Sequence, residues 1–207
     1  MVCLGEALID RLGPPGGDPA LDVPVDDRLG GAPANVACGL ARLGSDAAFL
    51  GRLGADAIGD RFATLFRQRG VDFGAVQWDA QRPSRVVLVR RGIDGERQFQ
   101  GFAGGEGRGF ADQALASVDL PIKSRWLLVG TLLLAAVASA ESLRGAVAQA
   151  KARGIALAVD VNWRPTFWDA TADPGAGPSP NAKAAIKPLL EAATLLKVSR
   201  DEALWFF

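Results

Sequence analysis

Apolar residues fall along the chain as short continuous runs that alternate with stretches of helical spacing. Residues 1–9 are apolar with polar bounds and predict a buried strand. Residues 12–24, rich in Gly, Pro and Asp, read as loop, and 23–29 as a second, exposed strand. Gly30-Gly31-Ala32-Pro33 then introduces a helix. Pro33 suits its first turn, Val36, Leu40 and Leu43 recur at helical spacing, and Gly44 supplies the stop. Residues 47–53 predict a strand. Residues 58–68 predict a helix with Ile58, Phe62, Leu65 and Phe66 on one face and Gly70 as cap; 71–78 predict another strand.

Residues 85–91 and 96–102 flank Ile93-Asp94-Gly95, which is a hairpin signal. Arg90, Arg91, Arg97 and Gln98 interrupt its alternation, so the ribbon is expected to protrude with two faces rather than pair inside the core. Residues 104–109 read as loop. Beyond them come a buried strand over 125–130, a helix over 136–153 stopped by Gly154, and an apolar strand over 155–161. A loop with Pro174, Pro178 and Pro180 covers 165–181. A helix over 182–193, a strand over 194–198 and a final helix over 199–207 follow, the last opened by a Ser199/Glu202 capping box.

This alternation predicts an α/β fold: three layers, with a mostly parallel sheet flanked by helices. The ribbons at about 11–30 and 84–103 fall outside it and are placed together as a small β-lid on one edge. Residues 1–207 read as one domain without repeat or linker. The last helix ends on Trp205, Phe206 and Phe207, where such folds return to another strand, so the C-terminal part of the fold is expected to be missing.

Composition narrows the chemistry. The 207 residues are 49% hydrophobic and 22% charged, with Lys+Arg equal to Asp+Glu at 23 each. That balance excludes a disordered chain and gives nothing to draw it towards nucleic acid or an anionic membrane. The longest apolar stretch, 126–140, is shorter than the ~20 residues of a membrane span. Cys3 and Cys38 sit in apolar settings and are expected to be reduced thiols, which with the absence of a signal-peptide pattern points to the cytoplasm. Histidine and tyrosine are both absent, which excludes a Ser-His-Asp or Cys-His triad and a His-ligated zinc. No Gly-Lys-Ser/Thr occurs, so a P-loop is excluded.

Open α/β sheets bind ligands beyond the carboxyl ends of their strands. The polar residues there are Asp10 and Arg11, then Asn162 and Arg164, then Ser199 and Glu202. The glycines of the 30–35 loop let backbone approach a ligand, and Asn35 can donate and accept. Together they suit a polyhydroxylated ligand beside an anion. Structural roles account for the same residues: Asp10 as a turn cap, Asn162 bonded to loop backbone, Arg164 as a solvated charge, and Ser199 with Glu202 as the capping box alone. A nicotinamide-dependent oxidoreductase would need a Gly-rich turn opening a helix after the first strand, and Gly13-Pro14-Pro15-Gly16-Gly17 is prolyl instead.

Gly30-Gly31-Ala32-Pro33-Ala34-Asn35-Val36-Ala37, with Gly44 and Gly54 beyond it, resembles the first signature of the ribokinase-like, or PfkB, carbohydrate kinases. Residues 5–10 are similar to that family's first strand. Asp160-Val161-Asn162-Trp163-Arg164-Pro165 with Trp168 resembles its fructokinase branch, and residues 197–202 resemble the segment leading to its Asn-x-x-Glu motif. The resemblance implies ATP-dependent phosphorylation of a sugar hydroxyl, most closely fructose, with Mg²⁺. It implies that Asp10, Gly31 and Asn35 hold sugar hydroxyls, that Phe99 covers the sugar from the lid, and that Arg164 meets the sugar or the transferring phosphoryl group. Asn162, Lys197 and Ser199 would lie by the nucleotide phosphates, and Glu202 would orient Mg²⁺ through water. The lid ribbons offer a way for two copies to pair. Ser199 stands where the family has Asn. The family's second signature, a Gly-Ala-Gly-Asp segment carrying the anion hole and the general-base Asp, lies beyond everything in this sequence, so little turnover is expected. A catalytically dead sugar-binding or interaction module is the alternative.

Overall fold

The computed structural model describes residues 1–94, 96–104 and 107–207. Gly95 of the expected hairpin turn, and Gly105 and Glu106 of the expected 104–109 loop, lie outside the described residues. In chain order the elements are β1 (Val2–Leu4), β2 (Leu8–Pro15), β3 (Asp26–Gly30), α1 (Ala32–Arg42), β4 (Ala48–Leu50), β5 (Arg52–Gly54) and α2 (Ala57–Arg69). They continue with β6 (Gln77–Asp79), β7 (Val86–Arg91), β8 (Arg97–Phe102), β9 (Trp126–Gly130), α3 (Val137–Ala152) and β10 (Ala156–Asp160). The last are α4 (Pro165–Trp168), α5 (Pro180–Ala192), β11 (Leu195–Lys197) and α6 (Arg200–Phe206).

The central sheet runs β11-β10-β9-β1-β4, and every pairing in it is parallel. Side chains alternate across a strand, so each strand feeds two cores. Val2, Leu4, Leu127, Val129, Leu157 and Val159 pack on one face with Leu143 and Ala146 of α3 and Ile186 and Leu189 of α5. Cys3, Phe49, Leu128 and Ala158 face the other way, against Ala34 and Ala37 of α1 and Phe62 and Phe66 of α2. The three expected layers follow directly from that alternation.

A second sheet of order β3-β2-β7-β8 makes the lid. β2 pairs antiparallel with β3 and parallel with β7, and β7 with β8 makes the hairpin. The two expected ribbons are therefore one sheet. β7 lies between β2 and β8, and Val86, Val87, Leu88 and Val89 are all buried, so only β8 behaves as the exposed, two-faced ribbon the sequence suggested.

Several boundaries differ from the sequence reading, each for a packing reason. The run at 1–9 is two strands, because the chain leaves the central sheet at Leu4 and enters the lid at Leu8. A Cβ on Gly5 would collide with the Pro33 ring, which favours glycine there. β2 then continues to Pro15, through residues read as loop. The run at 47–53 also divides, at Gly51, whose added Cβ would stand 2.6 Å from the Gly5 carbonyl oxygen. Beyond it β5 pairs with β6 in a separate two-stranded sheet. Of the strand expected over 71–78 only β6 forms, preceded by a single bridge from Asp72 to Ala48. The loop expected over 165–181 contains the short α4 at its start, and α5 begins at Pro180.

One buried pair joins lid to body. Arg85, just before β7, donates through Nε and Nη2 to the two carboxylate oxygens of Asp112 at 2.8 and 3.0 Å. Both side chains are at most 7% exposed. The guanidinium also lies 4.6–5.1 Å from the ring centres of Phe102, Phe110 and Phe167. Breaking a buried ion pair from one side leaves the partner charge uncompensated, which costs about 3–5 kcal/mol. Arg85→Ala is expected to lower stability by about that much in urea unfolding; a loss below 1 kcal/mol would show that the pair does not anchor the lid.

Candidate functional site

The chain crosses from β1 to β2 beside the first turn of α1, and this crossing builds a cavity of about 200 Å³. Gly31 has φ +98°, and a Cβ there would lie 2.5 Å from the Glu6 carbonyl oxygen. The residue is fixed as glycine by both its backbone conformation and that contact. Gly30 has a related reason: its Cβ would fall 2.6 Å from Asp10 Oδ2. The paired glycines thus leave room for the Asp10 carboxylate and seat α1 against the crossing.

Glu6, Leu8, Asp10, Gly31, Ala32, Asn35, Val87, Phe99, Leu132, Asn162, Arg164 and Phe167 line the cavity. Six of the residues singled out from the sequence, Asp10, Gly31, Asn35, Phe99, Asn162 and Arg164, therefore meet at one mouth. They arrive from β2, the start of α1, the lid strand β8 and the segment after β10. Asp10 accepts no side-chain hydrogen bond from the described residues. Burial raises its pKa, while the nearby charges of Arg164 and Arg97 pull it back. Arg164 donates to the Trp163 carbonyl at 2.8 Å, and its guanidinium lies 5.4 Å from the centre of the Phe99 ring. That cation–π contact bridges the lid to the body across the mouth. Asn162 has φ +41°, a left-handed conformation that turns the chain sharply at the end of β10.

Lys197, Ser199 and Glu202 do not line this cavity. Lys197 pairs with Asp160 across neighbouring strands, at 3.0 Å. Ser199 caps α6 by accepting from the Glu202 amide at 3.2 Å. Glu202 is buried, and its oxygens accept the amides of Trp163 at 2.6 Å and Ser199 at 2.7 Å. The capping-box reading of these two residues is thus realised, and Glu202 also ties α6 to the segment that carries Asn162 and Arg164. Among the described residues no cluster of three Cys, Asp or Glu can hold a metal ion. Both Glu202 oxygens already accept backbone amides, and no step below uses magnesium.

Sequence reasoning passed over Glu6, Leu8, Val87, Leu132 and Phe167 as parts of the lining. The apolar ones carry no signal that separates them from core positions. A buried Glu inside an apolar strand run was a usable signal for Glu6. Across Phe167 lies a larger, more open cavity of about 1110 Å³, bordered by Gln100, Arg108, Trp168 and Asp169. It holds none of the convergent groups of the Asp10 cavity except Phe167 itself.

The chain matches the pfkB family of carbohydrate kinases over residues 1–207. It is 32% identical over 203 residues to fructokinase-1 of Oryza sativa subsp. japonica, covering 98% of this chain and 60% of that protein. It is 36% identical over 167 residues to the fructokinase of Klebsiella pneumoniae, covering 80% of this chain and 51% of that protein. Among solved structures, fructokinase from Xylella fastidiosa superimposes with a TM-score of 0.83 at 26% identity, covering all of this chain and 61% of the other. A structure of the Xylella enzyme with bound ATP superimposes at 0.82. The chain thus spans about half to two thirds of the length of these relatives. The family match over its whole length, with the extended glycine signature at 30–37, establishes that this chain belongs to the pfkB carbohydrate kinase family.

Proposed function

We propose that this chain carries the sugar-holding part of an ATP-dependent carbohydrate kinase whose acceptor is fructose. The observation that carries this reading is the convergence of Asp10, Gly31 and Asn35 with Phe99 and Arg164 on one cavity. A sugar presents a rim of hydroxyls and a C–H face. The carboxylate of Asp10 and the amide of Asn35 suit the rim. Phe99, Leu8, Leu132 and Phe167 suit the C–H face, as small-ligand sites pair apolar walls with a few placed polar groups. Fructokinases among the relatives support the ketohexose, and the ATP-bound neighbour supports the donor.

Phosphoryl transfer needs positioning and charge neutralisation more than covalent help. Asp10 and Asn35 hold the acceptor, and a lid closed by Phe99 over Arg164 keeps water from competing as acceptor. Arg164 lies where it can meet an anionic oxygen at the sugar. The Gly-Ala-Gly-Asp segment to which the family resemblance assigns the base and anion hole does not occur in these 207 residues; Gly175-Ala176-Gly177 is followed by Pro178. A positioned base contributes about 10²–10⁴ in rate, and an oxyanion-hole donor about 10²–10³. The 207-residue chain by itself is therefore proposed to bind sugar with little turnover.

Titration calorimetry with fructose, glucose and ribose tests the reading. Fructose is expected to bind, with no ADP released from ATP above background; binding of none of the three sugars would overturn it. Asp10→Ala is expected to weaken fructose binding at least tenfold, from a charged hydrogen bond of about 1.5–3 kcal/mol, with the thermal midpoint unchanged. Unaltered affinity would remove Asp10 from the site. Phe99→Ala is expected to raise the fructose Kd and leave the urea midpoint in place. A large drop in that midpoint would mark Phe99 as core rather than cover.

A further inference from the structure

Glu6 is the one carboxylate of the cavity lining that sits in the crossing between β1 and β2, and it is 2% exposed. Its Oε1 accepts the Ala32 amide, the first of α1, at 3.2 Å. Its Oε2 is buried and accepts no hydrogen bond from the described residues. The space around Oε2 is set by Gly130 at the end of β9: a Cβ there would lie 3.8 Å from it. Anchoring α1 needs one acceptor oxygen, which a glutamine supplies equally well. The second oxygen of a carboxylate is then surplus to the helix, and it is left buried and unpartnered on a residue that lines the cavity. Buried polar oxygens without partners are rare and mark a group that a ligand or water completes.

We infer that Glu6 is a further sugar-binding residue, its Oε2 accepting a hydrogen bond from a hydroxyl of the bound ligand. The inference rests on the sugar-binding reading above and adds to it an anchor beyond Asp10 and Asn35. It also makes recognition favour ligands that carry a free hydroxyl donor towards Glu6.

The charged groups facing Glu6 are few. Asp112 and Arg85 act on it through their charges and are bonded to each other. Asp10 from β2 and Arg164 from the segment after β10 share its cavity. From α1 the neighbours are Ala32 and Pro33, and from β9 Gly130, none of which titrates. Burial pushes the Glu6 carboxyl up to about 7, against the bonds from its own amide and from Ala32; Asp112 adds to the rise and Arg85 opposes it. A hydroxyl that donates to Oε2 favours the ionised form, so binding releases a proton near neutrality, and affinity rises with pH through that range. With a midpoint near 7 the ionised fraction climbs from about a tenth at pH 6 to about nine tenths at pH 8.

The test is fructose calorimetry on the 207-residue chain and on Glu6→Gln, at pH 6, 7 and 8. The unaltered chain is expected to bind about tenfold more tightly at pH 8 than at pH 6. Glu6→Gln keeps an acceptor for Ala32; it is expected to bind about tenfold more weakly at pH 8 and to lose the dependence on pH. Equal affinities and equal pH profiles for the two proteins would overturn the role of Glu6 and leave the sugar reading standing. Absence of fructose binding by the unaltered chain would overturn both. Should Glu6→Gln fail to fold, heats for the unaltered chain at pH 7 in two buffers of different ionisation enthalpy decide the matter. A proton released on binding supports the role, and buffer-independent heats overturn it.

Discussion

The close approach of Gly31 to the Glu6 carbonyl sets the geometry on which the site depends. At that point the chain has just left the parallel sheet for the lid, and 25 residues later it returns to begin α1 against the same backbone. No Cβ fits between them, since one on Gly31 would stand 2.5 Å from the Glu6 oxygen. Because this contact is backbone on backbone, it tolerates no rotamer adjustment. It fixes the distance between β2, which carries Asp10, and α1, which carries Asn35. Gly5, Gly30 and Gly51 serve the same junction, each excluding a side chain from a contact with Pro33, Asp10 or the Gly5 carbonyl. The cost is conformational freedom lost on folding at four glycines. The burial of Leu4, Leu8 and Ile9 on either side offsets that cost.

The lid is held at a second place, and the forces there differ. Arg85 and Asp112 are both removed from water, so their mutual attraction must offset a large desolvation penalty. Two parallel hydrogen bonds recover part of it, and three phenylalanine rings around the guanidinium recover more. Phe102 comes from the lid and Phe167 from α4, with their rings edge to face at 5.0 Å. The cluster therefore welds the base of the lid to the body, while Phe99, in the middle of β8, packs at the edge of the same apolar cluster and meets Arg164 across the mouth.

The sequence made the alternating core legible because parallel strands buried on both faces are continuous apolar runs, as at 155–161 and 125–130. It made the mouth legible because Asp10, Asn35, Asn162 and Arg164 all follow strand ends or open a helix. It failed where one apolar run serves two sheets. Residues 1–9 and 47–53 each carry only one charged residue, Glu6 and Arg52, beside the glycine where the run divides, and the crowding at Gly5 and Gly51, a property of the packed fold, marks the division. It failed again at β7, whose arginines suggested an exposed ribbon; Arg90 and Arg91 lie at its outer end, while 86–89 run through the middle of the lid sheet. Ser199 and Glu202 were open to two readings, and the hydrogen bonds to Trp163 and Ser199 itself show how far the structural one extends. Glu6 did carry a signal, a lone glutamate in an apolar run, but that signal does not say which neighbour the side chain faces.

The grouping of residues also separates two kinds of work. Everything that lines the Asp10 cavity lies between residues 6 and 167, whereas Lys197, Ser199 and Glu202 are occupied at the far strand of the sheet. Groups that hold hydroxyls grip the sugar equally before and during transfer, so they lower KM and leave the barrier largely unchanged. Acceleration comes from groups that engage charge only as the phosphoryl moves, such as a helix N-terminus or a base at the acceptor oxygen. Of the lining residues only Arg164 has a fixed charge suited to that second task, and it is already drawn towards Phe99 and Asp10. On the proposed sugar-binding reading, a cavity built in this way recognises its ligand independently of the transfer step, and affinity rather than rate is the property that its residues are expected to control.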